Sequence, residues 1–225
     1  MKFVSRAQWG AQYAKGSGAI AGPVRGVTLH WEGPKMGAFS HDKCAGKVRT
    51  IERFHAVTRG WAGIAYNLLV CPHGYVFEGR GAGVRSAANG TSNIGGNDQW
   101  YAVCYLGGQG DGFSDAAKIA VVDAVRYLRE TGGAGQAVNG HRDHHATECP
   151  GDAIYAWLQT AKFDPTPEPK PAKRVQQTRG PLVDHALDDL TQRRRKAKDP
   201  VVRRTLRKAK LLLLKSLESW PKKRS

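Results

Sequence analysis

The stretch YAVCYLGGQGDGFSDAAKIAVVDAVRYLRETGG, residues 101–133, carries the pattern that decides the fold. Residues 101–106 are a β-rich run, and a glycine-rich connection separates them from Ser114, a side chain suited to cap a helix N-terminus. Beyond it, Ile119, Val122, Ala124, Val125 and Leu128 recur at helical spacing and predict one apolar face on a helix over 114–130. The pair Gly132 and Gly133 ends that helix. Outward from this unit, further β-rich runs fall at 26–30 and 65–70, and further helices are expected at about 43–57 and 151–161. Strands and helices interleaved in this way argue an α/β domain with helices covering a sheet.

The text changes at FDPTPEPKPAKRVQQTRGP, residues 163–181. Repeated prolines bar regular structure and favour an extended spacer, so 1–163 is expected to be one domain and 164–181 a linker. Beyond the linker, Val183, Ala186, Leu187 and Leu190 form a short apolar stripe, and Val202, Leu206, Ala209, Leu213 and Leu217 a longer one. Asp199-Pro200 lies between them as a turn and helix start. Residues 182–225 therefore read as a basic amphipathic helical hairpin.

The net charge of +16 is unevenly placed. Residues 1–165 hold 17 Lys and Arg against 13 Asp and Glu, whereas 166–225 hold 18 against 6. A polyanionic partner is thus an expectation about the tail, namely an anionic wall polymer or a phospholipid surface. Nucleic acid is not expected, because the basic residues are not interleaved with stacking aromatics and match no groove-reading motif. No apolar run is long enough to cross a bilayer as a helix, and the first residues, MKFVSRAQWGAQ, lack the unbroken apolar stretch of a secretory signal. Synthesis in a cytoplasm is the expectation. Cys44, Cys71, Cys104 and Cys149 show no CxxC spacing, so neither a zinc ribbon nor a redox pair is indicated. The first three are expected to be buried free thiols, with a disulfide between two of them left open.

Two segments carry metal-binding chemistry. In GVTLHWEGP (26–34), His30 ends a β-rich run just before a Gly-Pro loop, where a scaffold can present a side chain into a cleft. In NGHRDHHATECPGD (139–152), His141, His144, His145 and Cys149 lie within nine residues, beside Asp143, Glu148 and Asp152. Zinc takes imidazole nitrogen and thiolate, and a catalytic zinc needs three protein ligands and an open fourth position. One distant histidine with two donors from the second segment satisfies that count.

Together with FHAVTRGWAGIAYNLLVCPHGYVFEGRG (54–81), these motifs resemble the amidase-2, or peptidoglycan-recognition, family, which includes phage N-acetylmuramoyl-L-alanine amidases. The resemblance runs from about residue 5 to 158 and leaves the tail uncovered. It implies a central mixed β-sheet flanked by helices, Zn2+ as cofactor, bacterial peptidoglycan as substrate and hydrolysis of the amide between N-acetylmuramic acid and L-alanine. It places the metal ligands at His30, His141 and Cys149, leaving His144 and His145 as polar neighbours or as substitutes for His141.

Catalytic positions fall on Tyr66 and on Thr147, where some phage relatives carry lysine. Substrate contacts fall on His55, Trp61, Asn67 and Arg80, although Trp61 also suits a core, and Glu78 with Arg80 a structural turn. The family's acidic residue before the tyrosine is replaced by Gly63. A cysteine at 149 argues for catalysis, since relatives that only bind peptidoglycan tend to lack it; a non-catalytic peptidoglycan-binding module is the alternative. The implied role is a monomeric phage endolysin that reaches the wall after the host membrane is breached.

Overall fold

The computed structural model describes residues 1–163, 189–193 and 196–218. They belong to two units, Met1–Thr166 and Pro167–Ser225. The proposed linker and the first stripe of the tail up to Leu187 lie outside the described residues.

Six strands build the first unit: β1 (Lys2–Val4), β2 (Gly26–Gly33), β3 (Leu68–Val70), β4 (Tyr75–Glu78), β5 (Trp100–Gly108) and β6 (Ala137–Gly140). They form one sheet in the order β1-β4-β3-β5-β2-β6. Only β3 and β4 pair antiparallel, as neighbours in a tight turn can; every other pair is parallel. Helices α1 (Arg6–Trp9), α2 (Cys44–Arg53), α3 (Gly96–Gln99), α4 (Asp115–Gly132) and α5 (Asp152–Thr160) complete it. The expected mixed sheet flanked by helices is what the chain forms.

Strand β5 explains why the sheet has two covered faces. All nine of its residues are buried, so its side chains serve two cores in alternation. Tyr101, Val103 and Tyr105 join Val27 and Leu29 of β2 against α4 and α5. Ala102, Cys104 and Leu106 face the other way, with Leu69, Phe77 and the α2 residues Cys44, Val48 and Ile51. That alternation sends Thr28 and His30 to the α2 side of β2, and His30 stands in register with Cys104. The small side chains Ala102 and Cys104 leave room there for an imidazole.

Helix α4 begins and ends as the sequence implies. Ser114 Oγ accepts from Ala117 N at 3.1 Å, and Gly133 closes the helix at φ +65°. Its buried face differs from the expected one: Ala117, Ala120, Val121, Ala124, Val125 and Leu128 pack on the sheet, while Ile119 is 65% exposed. Alanines let the helix approach the strands closely, so the stripe of small residues wins over the bulkier Ile119.

The helix expected over 43–57 is divided. A 3-10 turn at His41–Lys43 leads into α2, whose last turn widens into a π-helix at Phe54–Thr58. Arg59 N bonds Phe54 O, one residue further than an α-helix allows. His55 sits in this widened turn and is buried.

In the second unit, residues 189–193 are helical and α6 (Pro200–Glu218) follows, with Asp199 Oδ1 accepting from Val201 N at its start. Lys210 Nζ donates to Thr191 Oγ1 at 2.7 Å. Leu206 and Ala209 are half-buried, whereas Val202, in the expected stripe, is 45% exposed. Among the described residues no helix is long and apolar enough to cross a membrane.

Candidate metal centre

His30 ends the buried part of β2, and the 3-10 turn His41–Lys43 has a counterpart at His141–Asp143, which follows β6 directly. Because β6 pairs with β2 through Leu29↔Gly140, this second turn places His141 beside His30, with ring centroids 4.5 Å apart. Cys149 returns to the same point, its Sγ 3.7 Å from His30 Nδ1 and 3.5 Å from Trp31 N, which donates to it. One donor atom from each of His30, His141 and Cys149 lies within 4.8 Å of the others.

Zinc bonds of about 2.3 Å to sulfur and 2.0–2.1 Å to nitrogen put tetrahedral ligands about 3.4–3.8 Å apart, which the Cys149 to His30 spacing meets. Two imidazoles and a thiol are a donor set that fits Zn2+ and leaves one position open.

The loop that delivers Cys149 is held by its own polar groups. Arg142 N donates to Cys149 O, Arg142 Nη2 to Glu148 O, and Arg142 Nη1 pairs with Asp152. Asp143 accepts from Gly140 N and from the Tyr155 hydroxyl. Gly151, at φ +84°, turns the chain into α5 where a Cβ would strike the Trp31 ring. Thr147 is exposed and its hydroxyl accepts from Cys149 N at 3.3 Å, so its oxygen is engaged in positioning the ligand loop.

The two neighbouring histidines are committed elsewhere. His144 has both ring nitrogens occupied, Nε2 by Thr28 Oγ1 at 2.9 Å and Nδ1 by Ser92 Oγ at 3.1 Å. His145 Nε2 bonds the Asn89 carbonyl at 2.9 Å. The group of converging donor atoms contains His141 and neither of these two.

Asn89 belongs to the candidate site and carries no mark along the sequence. Its Oδ1 accepts from His30 Nε2 at 2.7 Å, while its Nδ2 donates to Trp100 O and Ser86 Oγ, so the amide is fixed with oxygen toward the histidine. This leaves His30 Nδ1 as the nitrogen that could bind a metal, its other ring nitrogen being held by an amide oxygen as is common for metal-binding imidazoles. The signal was invisible along the chain, since an asparagine in a Gly- and Ser-rich loop reads as a turn residue.

Glu32 lies two residues beyond His30 on β2. Burial raises its carboxyl to about 7, and its Oε2 has no hydrogen-bond partner among the described residues. It acts electrostatically on Tyr66, Cys104 and Cys149.

Tyr66 lies beside His30, with ring centroids 5.5 Å apart, and His55 stands edge-on to it at 5.6 Å. Burial, then the neighbouring Cys104 and Glu32, push the phenol well above its ordinary value, so it remains a hydrogen-bond donor at neutral pH. His55 Nδ1 accepts from Ala65 N at 3.2 Å, and Trp61, 39% exposed, stacks on it at 5.0 Å. His55, Trp61 and Tyr66 thus form one continuous aromatic wall leading to His30.

Asn67 and Arg80, expected as substrate contacts, direct their polar groups to the backbone. Asn67 is fully buried, donating to Gly81 O and Val84 O and accepting from Ala102 N. Arg80, 2% exposed, spends its guanidinium on Ile64 O and Arg85 O. Both fasten the turn after β4 to the segment just before β3, where Arg80 N also bonds Tyr66 O. Glu78 belongs to the same framework through Arg6 N and Lys15 Nζ. Gly63 has φ +81° with the Ala14 carbonyl against the site of a Cβ; no side chain fits there.

Burial, assisted by His141, lowers His30 to about 3; burial with Arg80 lowers His55 to about 4, and burial with His141 lowers His144 to about 4. His30 is therefore neutral, as a ligand must be. Burial also raises the Cys149 thiol to about 11, so metal binding has to displace its proton. For the three histidines the folded values lie below the unfolded value near 6.5, so the unfolded chain binds more protons between about pH 6.5 and 4. Stability is complete above that window and is lost as pH falls through it. With a chelator present, the urea midpoint is expected to fall across this range, and His55→Gln to reduce the proton uptake on unfolding by about one. An unchanged slope in that variant would show that His55 does not carry this dependence.

A mixed sheet presenting a His2Cys set with an open position at one strand end defines a candidate zinc-centre protein of the α/β class. Over 183 residues the chain is 31% identical to human N-acetylmuramoyl-L-alanine amidase, covering 76% of this chain and 30% of the human protein. It is 30% identical over 167 residues to mouse peptidoglycan recognition protein 1, covering 70% and 86% of the two. Its fold matches a chain in the crystal structure of tracheal cytotoxin bound to the ectodomain complex of peptidoglycan recognition proteins LCa and LCx. That match has a TM-score of 0.64 and 25% identity, over 72% of this chain and 98% of the other. No family model matches the chain. The chain belongs to the family of peptidoglycan recognition proteins and N-acetylmuramoyl-L-alanine amidases. It spans less than a third of the human amidase.

Proposed function

We propose that the chain is a zinc-dependent N-acetylmuramoyl-L-alanine amidase acting on bacterial peptidoglycan. The observation that carries this reading is the convergence of His30, His141 and Cys149 beside Tyr66, with one side of the triad bordered by the wall of His55 and Trp61. A zinc ion held there would supply the positive charge that acidifies water and polarises an amide carbonyl. The residues of the chain do the rest. Asn89 fixes the orientation of His30, and the Tyr66 phenol can donate a hydrogen bond to the oxyanion that develops at the scissile carbonyl. Trp61 offers an apolar face to a sugar ring.

The test is mass spectrometry of digested peptidoglycan: free stem peptides with a new L-alanine amino terminus, beside intact glycan strands. Peptidoglycan bound without such products would favour the second reading, a recognition module without turnover. The likeness to mouse peptidoglycan recognition protein 1 supports that reading.

The reading extends to a role as a phage endolysin that meets the wall once the host membrane is breached, with the basic tail attaching it to an anionic wall polymer or phospholipid surface. What supports the tail's part is the charge asymmetry, 18 Lys and Arg against 6 acidic residues in 166–225. Removing 166–225 is expected to weaken wall binding most at low ionic strength, where screening is least. A salt profile that does not change on truncation would dismiss the tail's part.

A further inference from the structure

A second group of soft donors lies outside the centre described above. His41, of the 3-10 turn before α2, and Cys44, the first residue of α2, meet Cys71 and His73 from the turn joining β3 to β4. One donor atom from each lies within 4.8 Å of all the others, with both cysteines buried. Cys44 Sγ is 3.4 Å from His73 Nδ1, inside the range of about 3.4–3.8 Å that tetrahedral zinc imposes on its ligands. Strand β5 separates this group from β2 and its His30.

We propose that His41, Cys44, Cys71 and His73 form a second zinc site, structural rather than catalytic. Four protein donors complete a tetrahedron and leave no position for water or substrate, which is the composition of a structural Cys2His2 centre. The donors come as two close pairs, one from each of two segments, again the pattern of such centres.

The imidazoles are held by packing: the His41 ring stacks on Tyr75 at 3.8 Å, and the His73 ring meets Phe39 and His41 edge-on at 5.8 and 5.7 Å. Cys71 N to Tyr75 O and Gly74 N to Cys71 O fix the turn that carries the second pair. Two buried thiols that served only as apolar filling would not need two imidazoles at their edge. On binding, both thiols release their protons and the ion ties the start of α2 to the β3–β4 hairpin, closing a long loop. The helix that is tied carries His55 at its far end, so the site would hold the aromatic wall of the first centre in place.

The experiment is zinc stoichiometry by inductively coupled plasma mass spectrometry on the full chain purified under reducing conditions. Two zinc ions per chain are expected for the unaltered protein, one for Cys149→Ser, one for Cys71→Ser, and none for the two together. His41→Ala removes the exposed ligand and guards against misfolding of the cysteine variant. It is expected to lose one of its two ions to a chromogenic chelator at least about tenfold faster than the unaltered chain. One ion per chain that Cys149→Ser alone removes would overturn the proposal. So would a Cys44 to Cys71 disulfide in a non-reducing peptide map, or release kinetics unaffected by His41→Ala. Because Cys149→Ser and Cys71→Ser report on different ions, failure of this site is distinguishable from failure of the first.

Discussion

Cys149→Ser is expected to lower the release of stem peptides from peptidoglycan by about 10³-fold or more while leaving binding to intact sacculi within a few-fold of the unaltered chain. The size follows from what the thiol does. Removing a single oxyanion donor from a hydrolytic site costs about 10²–10³ in rate. Losing the metal removes the acidified water together with the main source of charge stabilisation. Serine is close in size to cysteine, so the loop contacts Arg142 N to Cys149 O and Cys149 N to Thr147 Oγ1 survive. What disappears is the only sulfur within reach of His30 Nδ1 in the group His30, His141 and Cys149, and a hydroxyl resists deprotonation far more than a thiol. Zinc content should drop by the ion of this site. A variant that still releases stem peptides at the native rate would rule out the metal mechanism. An unaltered chain that binds sacculi and releases nothing would make the protein a recognition module.

Tyr66→Phe is expected to lower kcat by about 10²–10³-fold with KM and zinc content little changed. The ring packs among Trp9, Ile64, Leu69 and Cys104, and phenylalanine keeps that contact, so the fold should persist. Only the hydroxyl is removed, and the phenol is held protonated by burial and by Cys104 and Glu32. A donor of this kind matters most when charge develops on the carbonyl oxygen, which is why the effect belongs in kcat. Raising the pH toward 9 should leave the difference between variant and unaltered chain unchanged, because the phenol does not ionise there. Equal kcat values for the two proteins would leave Tyr66 as a core residue. Thr147, whose oxygen is engaged with Cys149 N, is the weaker place to look for the same function.

The residues of the sheet and the long helix were legible along the chain wherever one local rule governed them. Ser114 and Gly133 mark the bounds of α4 because capping depends on a few neighbouring atoms. The phase of the same helix was not legible: Ile119 looks like a core residue by hydropathy, yet the close approach of α4 to β5 selects Ala117, Ala120 and Ala124 instead. The π turn around His55 had no sequence mark, since an added residue in a helical turn changes no residue type. Short strands such as β1 and β6 escaped for a related reason. Their three and four residues acquire strand geometry only from a partner already in place.

In the candidate metal centre, chemistry and placement were determined at different levels. By itself the sequence supplied the donors, His30 in VTLHW and a histidine-rich loop ending in Cys149, and with them the α/β class and the concentration of charge in the tail. Those are properties of residue type and short spacing. Only the tertiary structure decided which of three histidines faces His30, because that depends on what the other two already bind: His144 is taken by Thr28 and Ser92, and His145 by Asn89. It likewise withdrew Asn67 and Arg80 into backbone hydrogen bonds and brought His41 and Cys44 against Cys71 and His73. A side chain's chemistry is carried by the residue, but its availability is set by the nearest polar atoms, and those come from segments that the fold alone makes neighbours.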